Sequence, residues 1–307
     1  MILNALFSPE FINATLRTTT PILFATLASA VASKSGITNM ALEGIMLFSA
    51  LFGVIFSAAF HSAWLGLLVT MVLGGFIGFI LAFFVLKLKT DEILAAIAIN
   101  LIATGGTVFT LLTVSGDRGV SSSIKSLQLP KITLPIIENI PYLGQIISNQ
   151  NILTYLSLIM VVVVHIFLYK TPLGLRIRAV GENKDAAESV GISSKKVQFI
   201  ALIISGVLAS IGGFFLSGGY MTYFTKDMSA GRGFIALAAA TMGGNTPVGG
   251  LLVSLLFGAA QAFSNIMQMG GSLPHELVQM LPYITTLIGL GIYSYSLMKK
   301  RQRLSGK

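Results

Sequence analysis

Long apolar runs alternate with short polar breaks along this chain, and that alternation predicts an all-α integral membrane protein. A spanning helix takes roughly 20 apolar residues. Runs of this kind cover 11–33, the stretch up to 60 that follows a polar break at 34–44, 63–88, 93–114 and 152–169. After a second polar stretch come 197–216, 251–269 and 277–298. A run of small side chains at 233–242 is too short to span unless tilted and extended. The pattern gives about nine hydrophobic segments, the second and seventh the weakest, and a fold of about 8–10 membrane helices with short or broken members. Residues 1–307 read as a single transmembrane domain. The first run holds Pro21 and many Thr, Ala and Ser, which favour close helix packing over lipid exposure.

One interruption has a design of its own. Residues 171–196, TPLGLRIRAVGENKDAAESVGISSKK, gather Arg176, Arg178, Lys184, Lys195 and Lys196 between two apolar runs. Pro172 and Gly174 are expected to end the preceding helix. Asn183 reads as an N-cap, with Asp185 in the first turn and Gly191 as the stop of a short helix. Ala186, Ala187 and Val190 give that helix a small-residue face, and Ser193 or Ser194 is placed to cap the next helix. A short rigid helix between two stops suits a docking knob better than a plain basic loop. The other long interruption, 115–150, carries few charges and spaces Pro130, Pro135 and Pro141 through it.

Composition agrees with a membrane. Of 307 residues, 54% are hydrophobic and 10% charged, against about 25% charged in soluble domains. The net charge of +9 is small for nucleic-acid binding and lies mostly in loops and at the C-terminus. No cysteine is present, which excludes disulfides, thiolate metal sites and a cysteine nucleophile. The N-terminus MILNALFSPEF lacks a basic n-region and a small-residue cleavage site, so the first membrane helix is expected to do the targeting. Placing the basic tail at 299–303 in the cytoplasm puts 171–196, Lys87, Lys89 and Lys34 inside as well. It puts 115–150 outside, as the positive-inside rule asks.

The two halves share a weak symmetry. Each runs helix, glycine-rich break with a short helix, then another helix, at 11–33, 35–46 and the Gly74–Gly78 helix, and again at 197–216, 231–242 and the helix after Gly250. An odd offset in spans would make them inverted repeats, in which the breaks mark the pathway.

Candidate chemistry is sparse. No phosphate-binding GxxxxGK[ST] is present, since 243–250 lacks the Lys-Ser/Thr ending, and no HExxH occurs. Catalysis by the chain itself therefore has little to stand on, no cofactor of its own is expected, and any ATP-derived energy must come from another subunit. Glu43 is the most interesting carboxylate. It either lines a pathway at a helix break or sits at the interface and complements its own helix N-terminus. Asn39, Gly44, Arg232, Phe234 and Asn245, at or beside the breaks, and Asn100, within an apolar run, complete the candidate pathway. Asn100, Gln261, Asn265 and Gln268 lie within apolar runs, where interhelical hydrogen bonding is the commoner role. Asp227 and Arg232 flank the short seventh segment, where they either pair with each other or form an ordinary solvated loop pair.

Three motifs carry a resemblance: GLRIRAVGENKDAAESVGI at 174–192, GITNMALEGIM at 36–46 and GRGFIALAAATMGGNTPVG at 231–249. Together and in this order they resemble ABC importer permeases of the ribose and branched-chain-amino-acid type. Within that group they are most similar to the shorter permease of nucleoside importers that work with a basic-membrane-protein lipoprotein. Ala41 departs from the glycine often found there. The resemblance implies a second homologous permease, a cytoplasmic ATP-binding subunit and an extracytoplasmic binding lipoprotein delivering solute on the 115–150 side. It implies that Arg178, Gly181, Asn183, Asp185, Ala186, Ala187, Glu188 and Gly191 form a coupling helix docked in the ATPase. Ribose, nucleoside and amino-acid members share these motifs. An ion-coupled carrier or channel is the alternative of a different class, but it would bury a relay of ionisable groups, and only Glu43 is a candidate.

Overall fold

A computed structural model describes residues 8–117, 119–133, 142–269 and 280–305. Within them the chain forms α1 Pro9–Ser33, α2 Leu42–Ala59, α3 Ala63–Ala82 and α4 Glu92–Ser115, then the two-residue strands β1 Lys131–Ile132 and β2 Gln150–Asn151 around α5 Leu143–Ile147. There follow α6 Ile152–Lys170, α7 Pro172–Glu182, α8 Lys184–Ser189, α9 Ser194–Phe214, α10 Arg232–Met242, α11 Pro247–Met269 and α12 Leu281–Ser305. Six of these helices, extended by π-helical turns after α3 and α9, are long and apolar enough to cross a membrane. They are α2, α3, α4, α6, α9 and α11, and α1 and α12 are of comparable length, 25 residues each. Part of the ninth expected segment, before Met280, and Pro135 and Pro141 lie outside the described residues.

α1 is the axis of the bundle. Every residue from Thr18 to Ala32 is buried, as expected of a helix without a polar face. Its hydroxyls bond across to other helices: Thr18 to the Gly258 carbonyl at 2.8 Å, Thr20 to Thr154 at 3.1 Å and Thr26 with Ser254 at 3.0 Å. α3 and α9 approach through glycines. A Cβ on Gly74 would stand 2.4 Å from the Gly206 carbonyl oxygen, so only glycine permits this crossing.

Several local readings are corrected. The second segment is not weak: α2 is an 18-residue helix, 61% of it buried. The short helix expected over 35–46 is replaced by non-helical backbone at 37–39 and a full helix from Leu42. Pro172 does not merely end α6. It opens α7, where its missing N–H and fixed φ cost nothing. Gly174 lies inside α7, close against the Phe167 carbonyl. The basic interruption is thus two consecutive helices. The break at 243–250 is shorter than expected, because Pro247 already starts α11.

The two ends of α9 are structurally distinct. α7 and α8 pack at the Ser194 end. The 119–129 stretch packs at the Tyr220 end, where Leu129 N donates to the Gly218 carbonyl and Ser121 N to the Phe224 carbonyl, each at 2.9 Å.

Candidate functional site

The two motif breaks, 34–44 and 231–233, meet in the interior. Asn39, fully buried, donates to Ser205 Oγ at 2.9 Å while its Oδ1 accepts from Ala41 N at 3.1 Å. Ser205 lies about 16 Å along α9 from Ser194 at 1.5 Å per residue, near the middle of a 27-residue span. The first break therefore sits deep in the bundle. Broken helices leave backbone groups without helical partners, and inside a membrane these must be satisfied by protein.

Asn100, on α4, supplies both halves of that satisfaction. Its Oδ1 accepts from Gly44 N at 2.9 Å and its Nδ2 donates to the Met40 carbonyl at 3.0 Å. Glu92 accepts from Thr38 N at 3.2 Å, and Gln198 donates to the Ser35 carbonyl at 3.0 Å. Side chains from two other helices hold the irregular stretch in shape.

Glu43 does something neither sequence reading contained. Its two carboxylate oxygens accept from Gly231 N at 2.8 Å and Gly233 N at 2.7 Å. Glu43 therefore caps the N-terminus of α10, a different helix, where a negative charge is favoured. Gly233 permits the approach, since a Cβ there would fall 2.5 Å from Glu43 N. Arg232 is not paired with Asp227. Its guanidinium donates to the Met228 and Ser229 carbonyls at 3.1 Å, closing the turn before α10. Phe234, 50% exposed, lies on the outward side of α10. Asn245 adopts a positive φ of 52° in the turn after α10, with its side-chain oxygen buried.

Among the described residues, Gln261, Asn265 and Gln268 form hydrogen bonds within α11. Gln261 donates to Asn265 and Gln268 to Ser264, each at 3.3 Å and one turn apart on α11.

The second candidate element is α7–α8. Asn183 caps α8, accepting from Ala186 N at 3.0 Å, Asp185 lies in the first turn, and Gly191 follows with φ +83°. The small-residue face is not continuous: Ala187 is 4% exposed and packs into the core, while Ala186 and Val190 (74%) point away. Ser193 makes no capping bond, and Ser194 Oγ instead donates to the Glu188 carboxylate. Arg178 stacks over the Tyr169 ring at 4.4 Å, bracing α7 against the end of α6. Gly181 touches the first break directly. A Cβ on it would meet the Lys34 carbonyl oxygen at 2.2 Å.

Sequence reasoning missed a polar cavity of about 590 Å³ at the opposite end, lined by Glu10, Asn13, Arg17, Lys131, Gln145 and Asn149. Arg17 lies 4.9 Å over the Tyr220 ring beside it. Arg17 inside an otherwise apolar run was the available signal.

Comparison with known proteins supplies the family. A family model described as branched-chain amino acid transport system / permease component matches residues 11–290. The guanosine ABC transporter permease protein NupQ of Bacillus subtilis is 32% identical over 90% of this chain and 89% of its own length. The nucleoside ABC transporter permease protein NupC of Lactococcus lactis is 32% identical over 89% of each. The putative glucose ABC transporter permease protein TsgC13 of Haloferax volcanii is 32% identical over 83% of this chain and 77% of its own. Among solved structures, PsaBC from Streptococcus pneumoniae in complex with Fab superposes with a TM-score of 0.52 over 94% of both chains at 13% identity, a likeness of fold alone. With most of its length matched and at least six helices able to span a bilayer, the chain belongs to the branched-chain amino acid transport system permease family and is a membrane-embedded transport component.

Proposed function

We propose that this chain is one of two permeases in an ATP-driven ABC importer, and that its solute is a nucleoside. The observation that carries the reading is the likeness, over nine-tenths of both chains, to permeases named for guanosine and nucleosides. The geometry supports the mechanical half. α7 and α8 form a rigid polar projection whose exposed residues, Asp185, Ala186 and Val190 among them, are free to meet a soluble subunit. Ala187 is seated in the bundle, and Gly181, itself exposed, abuts the Lys34 backbone. A cytoplasmic ATP-binding subunit docks there. The Tyr220 end then faces outward, and a binding lipoprotein delivers solute at the polar cavity beside Arg17. ATP is bound and hydrolysed by the partner, and this chain contributes the pathway between α10 and the second permease. An ion-coupled carrier is disfavoured, because both oxygens of Glu43 are taken up by backbone N–H groups.

A sugar is the second reading, favoured by the likeness to a putative glucose permease. Uptake of labelled guanosine, glucose, ribose and leucine by cells carrying the complete transporter separates them. Guanosine accumulation that vanishes on deletion of this chain supports the nucleoside reading. Accumulation of a sugar or leucine alone overturns it.

A further inference from the structure

We infer that Glu43 is a strut that ties the two broken-helix segments into one moving unit, so that displacement of α7–α8 is delivered to α10. The inference rests on the reading of α7–α8 as the ATPase docking element.

Three contacts in series carry it. Gly181 lies against the Lys34–Gly36 backbone with no space for a Cβ, and Gln198, near the start of α9, holds the Ser35 carbonyl at 3.0 Å. A shift of α7 toward the bundle therefore pushes the first break ahead of it, because backbone already in contact leaves no room between the two. The break itself is stiffened by Asn39 and Asn100, which bond its backbone at Met40, Ala41 and Gly44. Glu43 then leaves the break and grips α10 through two charge-assisted bonds at 2.8 and 2.7 Å. Bonds of this kind are roughly twice as strong as neutral ones. A carboxylate whose only role was to cap its own helix would not need to reach another segment 188 residues away. At the far side of the strut stands Phe234, half exposed on α10. Glu43 is thus a positioning residue, acting on the exposed face of α10 without contacting solute.

The test uses the full transporter in proteoliposomes, comparing wild type with Glu43→Gln. Glutamine keeps the shape but offers one acceptor oxygen where two N–H groups need one each. Uptake is expected to fall at least tenfold while ATP hydrolysis stays within about twofold, so that solute moved per ATP collapses. Because this chain has no cysteine, Phe234→Cys gives it a single thiol, and labelling is read on this chain's own band. Its maleimide labelling rate is expected to change between nucleotide-free and ATP-trapped states, and to lose that change when Glu43→Gln is added. If uptake and hydrolysis fall together in a complex that still assembles, or the labelling change persists, Glu43 is only structural and the inference is overturned. Should the glutamine variant fail to assemble, hydrogen exchange on the wild-type complex decides. Segments 34–44 and 228–236 must respond to ATP trapping together, and a response confined to the first overturns the strut. Failure of the docking reading is distinct: Val190→Asp and Ala186→Arg would then leave the ATP-binding subunit bound.

Discussion

Gly181 and Lys34 touch backbone to backbone, so closely that a Cβ on Gly181 would lie 2.2 Å from the Lys34 carbonyl oxygen. This contact joins the polar projection of α7–α8 to the first broken helix, and no side chain takes part in it on the Gly181 side. The junction is therefore sensitive to the smallest substitution.

Gly181→Ala is expected to destabilise the junction by about 1–3 kcal/mol, the usual cost of overpacking, and Gly181→Leu to abolish uptake. Both proteins should still be found in the membrane fraction, because the spanning helices are untouched. Transport assays beside immunoblots of membranes check this. Normal uptake by Gly181→Leu would remove α7 from the coupling route.

Asn100→Ala leaves Gly44 N and the Met40 carbonyl without their side-chain partner in the first break. Each unmade bond of this kind costs about 1–3 kcal/mol, and thermal unfolding in detergent should register the loss. Asn100→Asp keeps the acceptor for Gly44 N but sets a carboxylate against the Met40 carbonyl, so it should not restore stability. Wild-type melting of the alanine variant would contradict the bracing role.

Gln261→Ala and Gln268→Ala remove pairs formed within a single helix, worth only about 0.2–0.5 kcal/mol each. Melting temperature is expected to stay within a degree or two of wild type. A large loss would mean that these side chains hold something other than their own helix.

Beyond the end of α4, Asp117 accepts from Ser123 N at 3.2 Å and from Ser123 Oγ at 2.8 Å. These bonds favour the carboxylate and hold its pKa below the ordinary 3.8. A depressed folded-state pKa contributes stability above the unfolded value, lost as pH falls through the folded one. Protection of the Ser123 amide, corrected for the intrinsic pH dependence of exchange, should therefore be constant near neutrality and disappear only below the usual carboxylate range. Asp117→Asn should lower it at neutral pH.

Local patterns carried much of this protein. The membrane segments were legible because about 20 apolar residues can satisfy their own backbone only as helices in lipid. The α8 boundaries were legible because Asn183 and Gly191 act within three or four residues of themselves. The packing role of α1 was legible in its Thr, Ala and Ser content. Where two residues meet across the bundle, no local pattern reports it. Asp227 and Arg232 looked like a pair by proximity in sequence, yet the turn before α10 aims Arg232 at carbonyls. Asn100 looked like interhelical glue along with Gln261 and Gln268, yet only Asn100 faces a broken helix with bare backbone groups to satisfy. The sequence alone marked Glu43 as a costly carboxylate at a break. Tertiary structure decided what it does, because its two N–H partners belong to glycines in the other half of the chain, brought within reach only when the bundle closes.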